Sequence, residues 1–200
     1  MDSVSAFVTM FVVVDPVGLG PIFLALTQRY SLPERNAIAL EACLIAFAIL
    51  AGAALFGQWL LSSLGISIAA FRIAGGLLLF ALAFEMVFDR RQNRKEESAN
   101  EEPPHPGAFP LAIPLLAGPG AITAAVLLGG NALGDWPALG LLLGVIVSVL
   151  LLAYLVFRLT PLMEKLLGRR GQVVFGRLLG VLLAALAVQY IADGFSELPA

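Results

Sequence analysis

The chain has 200 residues, of which 60% are hydrophobic and 13% are charged, and its formal net charge is -2. Soluble domains carry about a quarter charged residues, so this composition excludes a water-facing globule. The near-neutral charge excludes the basic surface of a nucleic-acid-binding protein. The single cysteine, Cys43, excludes an internal disulfide and a cysteine-based metal cluster.

Six apolar stretches are each long enough to cross a bilayer, which requires roughly 20 residues. We therefore predict an all-α membrane protein whose six transmembrane helices cover residues 4–27, 37–61, 66–88, 109–130, 138–159 and 173–192. Glycine- and proline-rich segments, 15–21 and 114–120, interrupt the first and fourth of these helices. Because no basic segment precedes the first apolar stretch, we expect that stretch to stay in the membrane rather than act as a cleavable signal peptide.

Segment 89–107 combines many charged residues with three prolines. Such a segment cannot bury apolar area, so it is predicted to be an aqueous linker between a first unit, 1–88, and a second unit, 108–200. The loops after the first, third and fifth helices hold ten Lys and Arg residues, and the opposite face holds none. By the positive-inside rule, we expect a bacterial inner-membrane protein with cytoplasmic basic loops and both termini outside.

The two units resemble each other at a shift of about 103 to 105 residues. An Asp-Pro pair at 15–16 matches a Gly-Pro pair at 118–119, and an Arg-x-x-Gly motif recurs at 72–75 and 177–180. Since each unit has three helices, an odd number, the second must enter the membrane from the opposite side. This predicts two inverted three-helix repeats, an arrangement typical of secondary transporters. The alternative is an old duplication that serves only as a packing scaffold.

The two interruptions predict one central binding site built from both units. Proline removes a backbone donor and glycine adds backbone freedom, and the freed polar groups must face protein or water because lipid offers no partner. Each interruption also creates a half-helix N-terminus, which favours an anion, with Pro21 and Pro119 expected in the first turns. The predicted substrate-binding residues are Asp15, Pro16, Gly18, Pro21, Gly118, Pro119, Gly120 and Thr123.

Asp15 allows two interpretations of the first interruption. An ionised carboxylate near the bilayer centre costs at least ~2.5 kcal/mol, so it is expected to pair with a cation or a protein donor. A zwitterionic amino acid fits this requirement, with its ammonium at Asp15 and its carboxylate at the amides near 120–123. The alternative is that Asp15 only caps a half-helix through the amide of Val17 or Gly18, and the two roles are compatible.

Four segments resemble signatures of the MarC family of integral membrane proteins. They are residues 15–23 (DPVGLGPIF), 110–123 (PLAIPLLAGPGAIT), 72–76 (RIAGG) and 187–194 (AVQYIADG). The resemblance covers nearly the whole chain, and 89–107 is its least characteristic part. It implies a bacterial inner-membrane protein of six helices, related to lysine exporters and grouped with transporters of small neutral amino acids such as glycine and alanine.

These observations favour a secondary transporter or exporter of small neutral amino acids or similar metabolites, working by alternating access. The expected partners are a small-molecule substrate, a coupling proton or sodium ion and the lipid bilayer; a homo-oligomer is compatible with six short helices. No cofactor is expected and the chain is not expected to be an enzyme, since no metal-spaced cluster and no nucleotide-binding loop is present in the sequence. The alternative is a non-transporting membrane protein with an interaction or stress-response role.

Overall fold

The structure, a computed structural model, describes residues 2–88 and 105–198, without the side chains of 161–170, 172–173 and 175. The predicted linker therefore lies almost entirely outside the described residues, and the division into units at 89–107 stays a prediction. Every regular element in the described residues is helical. The elements are α1 (Ser3–Val14), α2 (Pro16–Thr27), α3 (Leu32–Ser63), α4 (Ile68–Val87), α5 (Gly107–Leu116), α6 (Pro119–Asn131) and α7 (Trp136–Ser196).

Five segments of these helices are long and apolar enough to cross a membrane: α1 with α2, then α3, then α4, and two stretches of α7. The pair α5 and α6, bent by 60° at a short break, brings the number to six if it is counted as one span. The predicted all-helical architecture is thereby confirmed, with five to six candidate spans where six were predicted.

Short polar residues fix where the spans begin. The side chain of Ser67 accepts a hydrogen bond from the Ala70 amide at 3.1 Å at the start of α4, and Asp135 caps α7 in the same way. At the start of α3, the Glu34 carboxylate accepts from the Ser31 amide at 2.7 Å. These caps satisfy amides that have no partner within a helix and that lipid would leave unpaired.

The fifth and sixth predicted helices are parts of one helical element in the structure. The two apolar spans, Trp136–Thr160 and Gly176–Ser196, are present within α7, but the backbone between them stays helical instead of leaving the helix at a turn. The two helices predicted from hydropathy are therefore present as two apolar spans of one helical element.

Glycines let the helices approach at backbone distance. On α4, a Cβ at Gly76 would lie 2.8 Å from the Ala187 carbonyl oxygen of α7, and a Cβ at Gly180 would lie 3.2 Å from the Ala83 carbonyl oxygen of α4. The lower residue number on α4 thus pairs with the higher on α7, so this stretch of α7 runs antiparallel to α4. Small residues at such contacts are the usual means of helix association in membranes.

The two half-helices α2 and α6 each pack on a long span. On α6, a Cβ at Gly129 would overlap the Ala54 backbone of α3. On α2, the Phe23 ring stacks on Phe157 of α7 with 4.6 Å between ring centroids, and Gly20 faces the side chain of Thr160. Both half-helices are thereby fixed at some distance from the interruptions where they begin.

Replacement of Gly129 by alanine is expected to lower stability by about 1–3 kcal/mol, because the new methyl group meets backbone atoms of Ala54 that cannot move aside. The measurement is thermal unfolding of the purified protein in a mild detergent. The matched control is Gly144→Ala: a Cβ at Gly144 meets nothing within 4 Å, so its midpoint should be unchanged or raised. Equal midpoints for the two variants would contradict the packing described.

Candidate functional site

Asp15 forms a one-residue link between α1 and α2. Its backbone is left-handed, with φ 53° and ψ 61°, and it is the one non-glycine residue with positive φ among the described residues. The Asp15 amide still donates to the Phe11 carbonyl at 2.9 Å, and its carbonyl accepts from Leu19 at 3.2 Å. The chain therefore stops one helix and starts the next without leaving these two backbone groups unpaired. Aspartate tolerates this conformation better than most residues.

The Asp15 side chain caps the half-helix that follows it. Its Oδ1 accepts a hydrogen bond from the Gly18 amide at 3.1 Å, and Pro16 occupies the first position of α2. The residue is only 3% exposed. A Cβ at Gly18 would overlap the carboxylate, so glycine at this position leaves the room that the cap requires. The capping role proposed from the sequence is thus present in the geometry.

The second interruption is built differently. Within α5, Phe109 and Ile113 have extended backbone rather than helical angles, and the peptide bonds before Pro110 and Pro114 are cis. Gly118 then adopts an extended conformation, with φ -78° and ψ 170°, and α6 begins without a side-chain cap. This segment is irregular over ten residues, whereas the first interruption is confined to one.

The N-terminus of α6 has backbone amides without a partner in their helix, and such amides favour an anion. Pro119 has no N–H group, and the first hydrogen bond within the helix runs from Ile122 to the Gly118 carbonyl at 2.9 Å. The amides of Gly120 and Ala121 therefore have no partner within α6. Both residues are buried. Together with the helix dipole, two such amides favour a negatively charged group.

The structure brings the two interruptions together. A Cβ at Gly120 would lie 3.2 Å from the Val13 side chain, two residues before Asp15, and 2.8 Å from Leu79 of α4. One turn further along α6, the Thr123 methyl group packs against Gly75 of α4. The start of α6 therefore packs against the end of α1, close in sequence to Asp15.

The other predicted site residues fall in different surroundings. Thr123 is 3% exposed and Pro119 starts α6 as expected, but Pro119 is exposed and Gly118 is half-buried. Pro21 was expected in the first turn of a half-helix, and this is wrong: it lies inside α2, half-buried. The reason is that Asp15 supplies the cap, so that Pro16 becomes the first helical residue.

One polar contact near the site was not predicted from the sequence. The side chains of Thr9 on α1 and Tyr190 on α7 lie in contact, and Thr9 is 5% exposed. Further along α7, Glu197 forms an ion pair with Arg72 of α4. Partners this distant in sequence give no local signal, although Tyr190 lies within the segment 187–194 that carries part of the family resemblance.

The described residues contain no group of three or more His, Cys, Asp or Glu side chains arranged to hold a metal ion. The fold and the site instead define a class: a polytopic integral membrane protein with two adjoining helix interruptions. A family model described as MarC family integral membrane protein matches residues 2–198. The chain belongs to the MarC family.

Curated relatives carry the same membrane assignment in their names. A UPF0056 membrane protein of Methanocaldococcus jannaschii is 38% identical over 94% of this chain and 93% of its own. YhcE of Escherichia coli is 34% identical, covering 94% of this chain and 89% of its own, and YvbG of Bacillus subtilis is also 34% identical, covering 96% and 92%. No solved structure matches the chain. The relatives' names give a membrane location and no activity.

Substitution of Asp15 should separate its backbone role from its charge. Asp15→Ala is expected to lower the free energy of unfolding by ~2 kcal/mol, because it removes the cap and leaves a left-handed residue without a polar side chain. Asp15→Asn keeps a capping oxygen and tolerates the same backbone angles, so its thermal midpoint in detergent should stay close to that of the unmodified protein.

Gly18→Ala is the companion variant, because its methyl group displaces the same carboxylate without removing it. It should destabilise the protein as Asp15→Ala does. An Asp15→Ala protein as stable as the parent would contradict the importance of the cap.

Proposed function

We propose that the protein is a secondary transporter or exporter of small neutral amino acids or similar small metabolites. The observation that carries the proposal is that Gly120, at the uncapped N-terminus of α6, packs on Val13, two residues before the buried Asp15. A zwitterion presents the complementary charges on neighbouring atoms. No catalytic chemistry is assigned to the site.

The charges of the site match a small amino acid in a defined orientation. The substrate ammonium would bind at Asp15, and the substrate carboxylate would accept from the amides of Gly120 and Ala121. Capping does not prevent this, since an ionised carboxylate accepts from several partners at once, and the Gly18 amide is one such partner. The packing of Val13, Leu79 and Leu82 around Gly120 leaves little space, which favours a small substrate.

Alternating access follows from the burial of Asp15. A carboxylate that is 3% exposed is reached from water only if the surrounding helices move. The interruptions supply the places where α2 and α6 can change direction while their helical interiors stay intact. We assign a coupling ion, a proton or sodium, to the same carboxylate. A charge that moves across the membrane gains ~2.3 kcal/mol per 100 mV, which is the energy that such coupling would supply to transport.

An inverted repeat is part of the proposal, and two sets of contacts support it. A shift of 103 residues takes Phe23 to Val126 and Ala54 to Phe157. Phe23 stacks on Phe157, while Val126 packs against Gly57 and Ala54 against Gly129. Each half-helix therefore packs on the long span of the other unit at equivalent positions. If the two units exchanged conformations, the site would open to the opposite side of the membrane.

The uptake of labelled glycine and alanine into proteoliposomes tests the proposal. The unmodified protein should show saturable uptake that depends on a proton or sodium gradient. Asp15→Asn removes the charge but keeps the cap, so the apparent affinity should fall about tenfold to hundredfold, the value of a hydrogen bond to a charged group. Asp135→Asn is the matched control, because Asp135 is an exposed cap at the start of α7.

Two outcomes would count against the proposal in different ways. Unchanged affinity and ion dependence in Asp15→Asn would remove Asp15 from the site but leave transport standing. No uptake of any amino acid by folded, correctly inserted protein would favour the non-transporting alternative. Deletion of 94–104 then separates the transporter from the non-transporting alternative. A transporter keeps its activity, whereas a protein that acts through its linker loses its partner.

The proposed location is the bacterial inner membrane with both termini outside, supported by the ten basic residues in the loops of one face. Alkaline phosphatase fused to the C-terminus should be active in a bacterial host, because the enzyme folds only outside the cytoplasm. The same enzyme inserted after residue 94 should be inactive. The reverse pattern would overturn the orientation.

A further inference from the structure

We propose that a cleft between α2, α3 and α7, remote from the interruptions, binds the phosphate group of an anionic phospholipid. The lining of the cleft includes three polar side chains, Arg35, Asn36 and Arg158. Its remaining lining residues are apolar: Phe23, Leu24, Leu32 and Phe157. The inference requires only that these helices lie in a membrane, so it stands or falls independently of transport.

The two arginines are positioned for an anion. Arg35 donates from Nε to the Tyr30 carbonyl and from Nη2 to the Gln28 carbonyl, both at 2.9 Å. A guanidinium has five donors, so this arrangement fixes the group and leaves three donors for a ligand. Arg158 lies 5.9 Å from the centroid of the Tyr154 ring. Within the described part of the chain neither arginine forms an ion pair, and the planar fork of arginine matches phosphate geometry.

The nearest carboxylate on α3 does not neutralise the cleft. Glu34 accepts from both the amide and the hydroxyl group of Ser31, at 2.7 and 2.6 Å. It therefore acts as the cap of α3 and is exposed on that helix. The cleft itself contains two cations and no acid among its lining residues, so its charge complements a phosphodiester.

The apolar residues in the lining of the cleft favour a lipid over a free anion. Leu32 is 68% exposed and lies beside the stacked rings of Phe23 and Phe157. Inorganic phosphate gains nothing from such a surface, whereas an acyl chain gains roughly 0.8 kcal/mol for each buried methylene. Arg35 is in the first turn of α3 and Arg158 is two residues before the end of the apolar span Trp136–Thr160. Both therefore lie at the level of lipid headgroups, where basic pockets between helices bind anionic lipids.

Native mass spectrometry of the full chain in detergent, titrated with phosphatidylglycerol or phosphatidylcholine, tests the assignment. The unmodified protein should bind phosphatidylglycerol more tightly than phosphatidylcholine. Arg158→Gln should weaken phosphatidylglycerol binding about fivefold, the effect of ~1 kcal/mol per arginine near an anionic surface. Arg158→Lys keeps the charge and should restore part of the affinity. Arg177→Gln, an exposed arginine outside the cleft, should bind as the parent does.

Arg35→Gln should also weaken binding, but it removes two backbone hydrogen bonds, so Arg158→Gln is the deciding variant. Equal phosphatidylglycerol affinity in Arg158→Gln and Arg177→Gln would overturn the site. Displacement of phosphatidylglycerol by inorganic phosphate at equal concentration would overturn the lipid assignment in favour of a free anion.

Discussion

Every backbone amide within a bilayer must face a partner in the protein or in a water-filled cavity, and this requirement shapes both interruptions. At the first, Asp15 meets it: its side chain pairs with Gly18, and its own amide and carbonyl stay within the two helices that it joins. At the second, Gly118 offers no side chain, and the amides at the start of α6 have no partner in their helix. One interruption is thus closed by a negative charge and the other is open to one.

Close glycine contacts determine which parts of the molecule can move. Gly129 and Gly76 bring α6 and α4 to backbone distance from α3 and α7, and contacts this close permit little sliding. The Gly129 contact lies near the far end of α6 from the link at Gly118. A rearrangement that exposes the site therefore has its pivots at the links, where few hydrogen bonds within a helix would have to break, and keeps the far contacts as fixed points.

The spans and interruptions could be predicted from the sequence because hydropathy and the Gly/Pro pattern are local properties. The residue at which α2 begins could not be predicted in this way. Pro16 and Pro21 are both able to start a helix, and the left-handed backbone of Asp15 determines that Pro16 does so. Hydropathy did not predict that both α7 spans belong to one helical element. The contact between Thr9 and Tyr190 joins residues far apart in sequence, so it could be identified only from the fold.

The double use of Asp15 gives the proposed substrate a way to influence the conformation. The same carboxylate caps α2 and, in the proposed function, binds the substrate ammonium. A bound cation beside the carboxylate reduces the electron density available to Gly18, whereas an empty site leaves the cap at full strength. Occupancy therefore changes the free energy of the junction between α1 and α2. A ligand shifts a conformational equilibrium only by its differential interaction with the two states, and at Asp15 that difference would arise at the residue on which the direction of α2 depends.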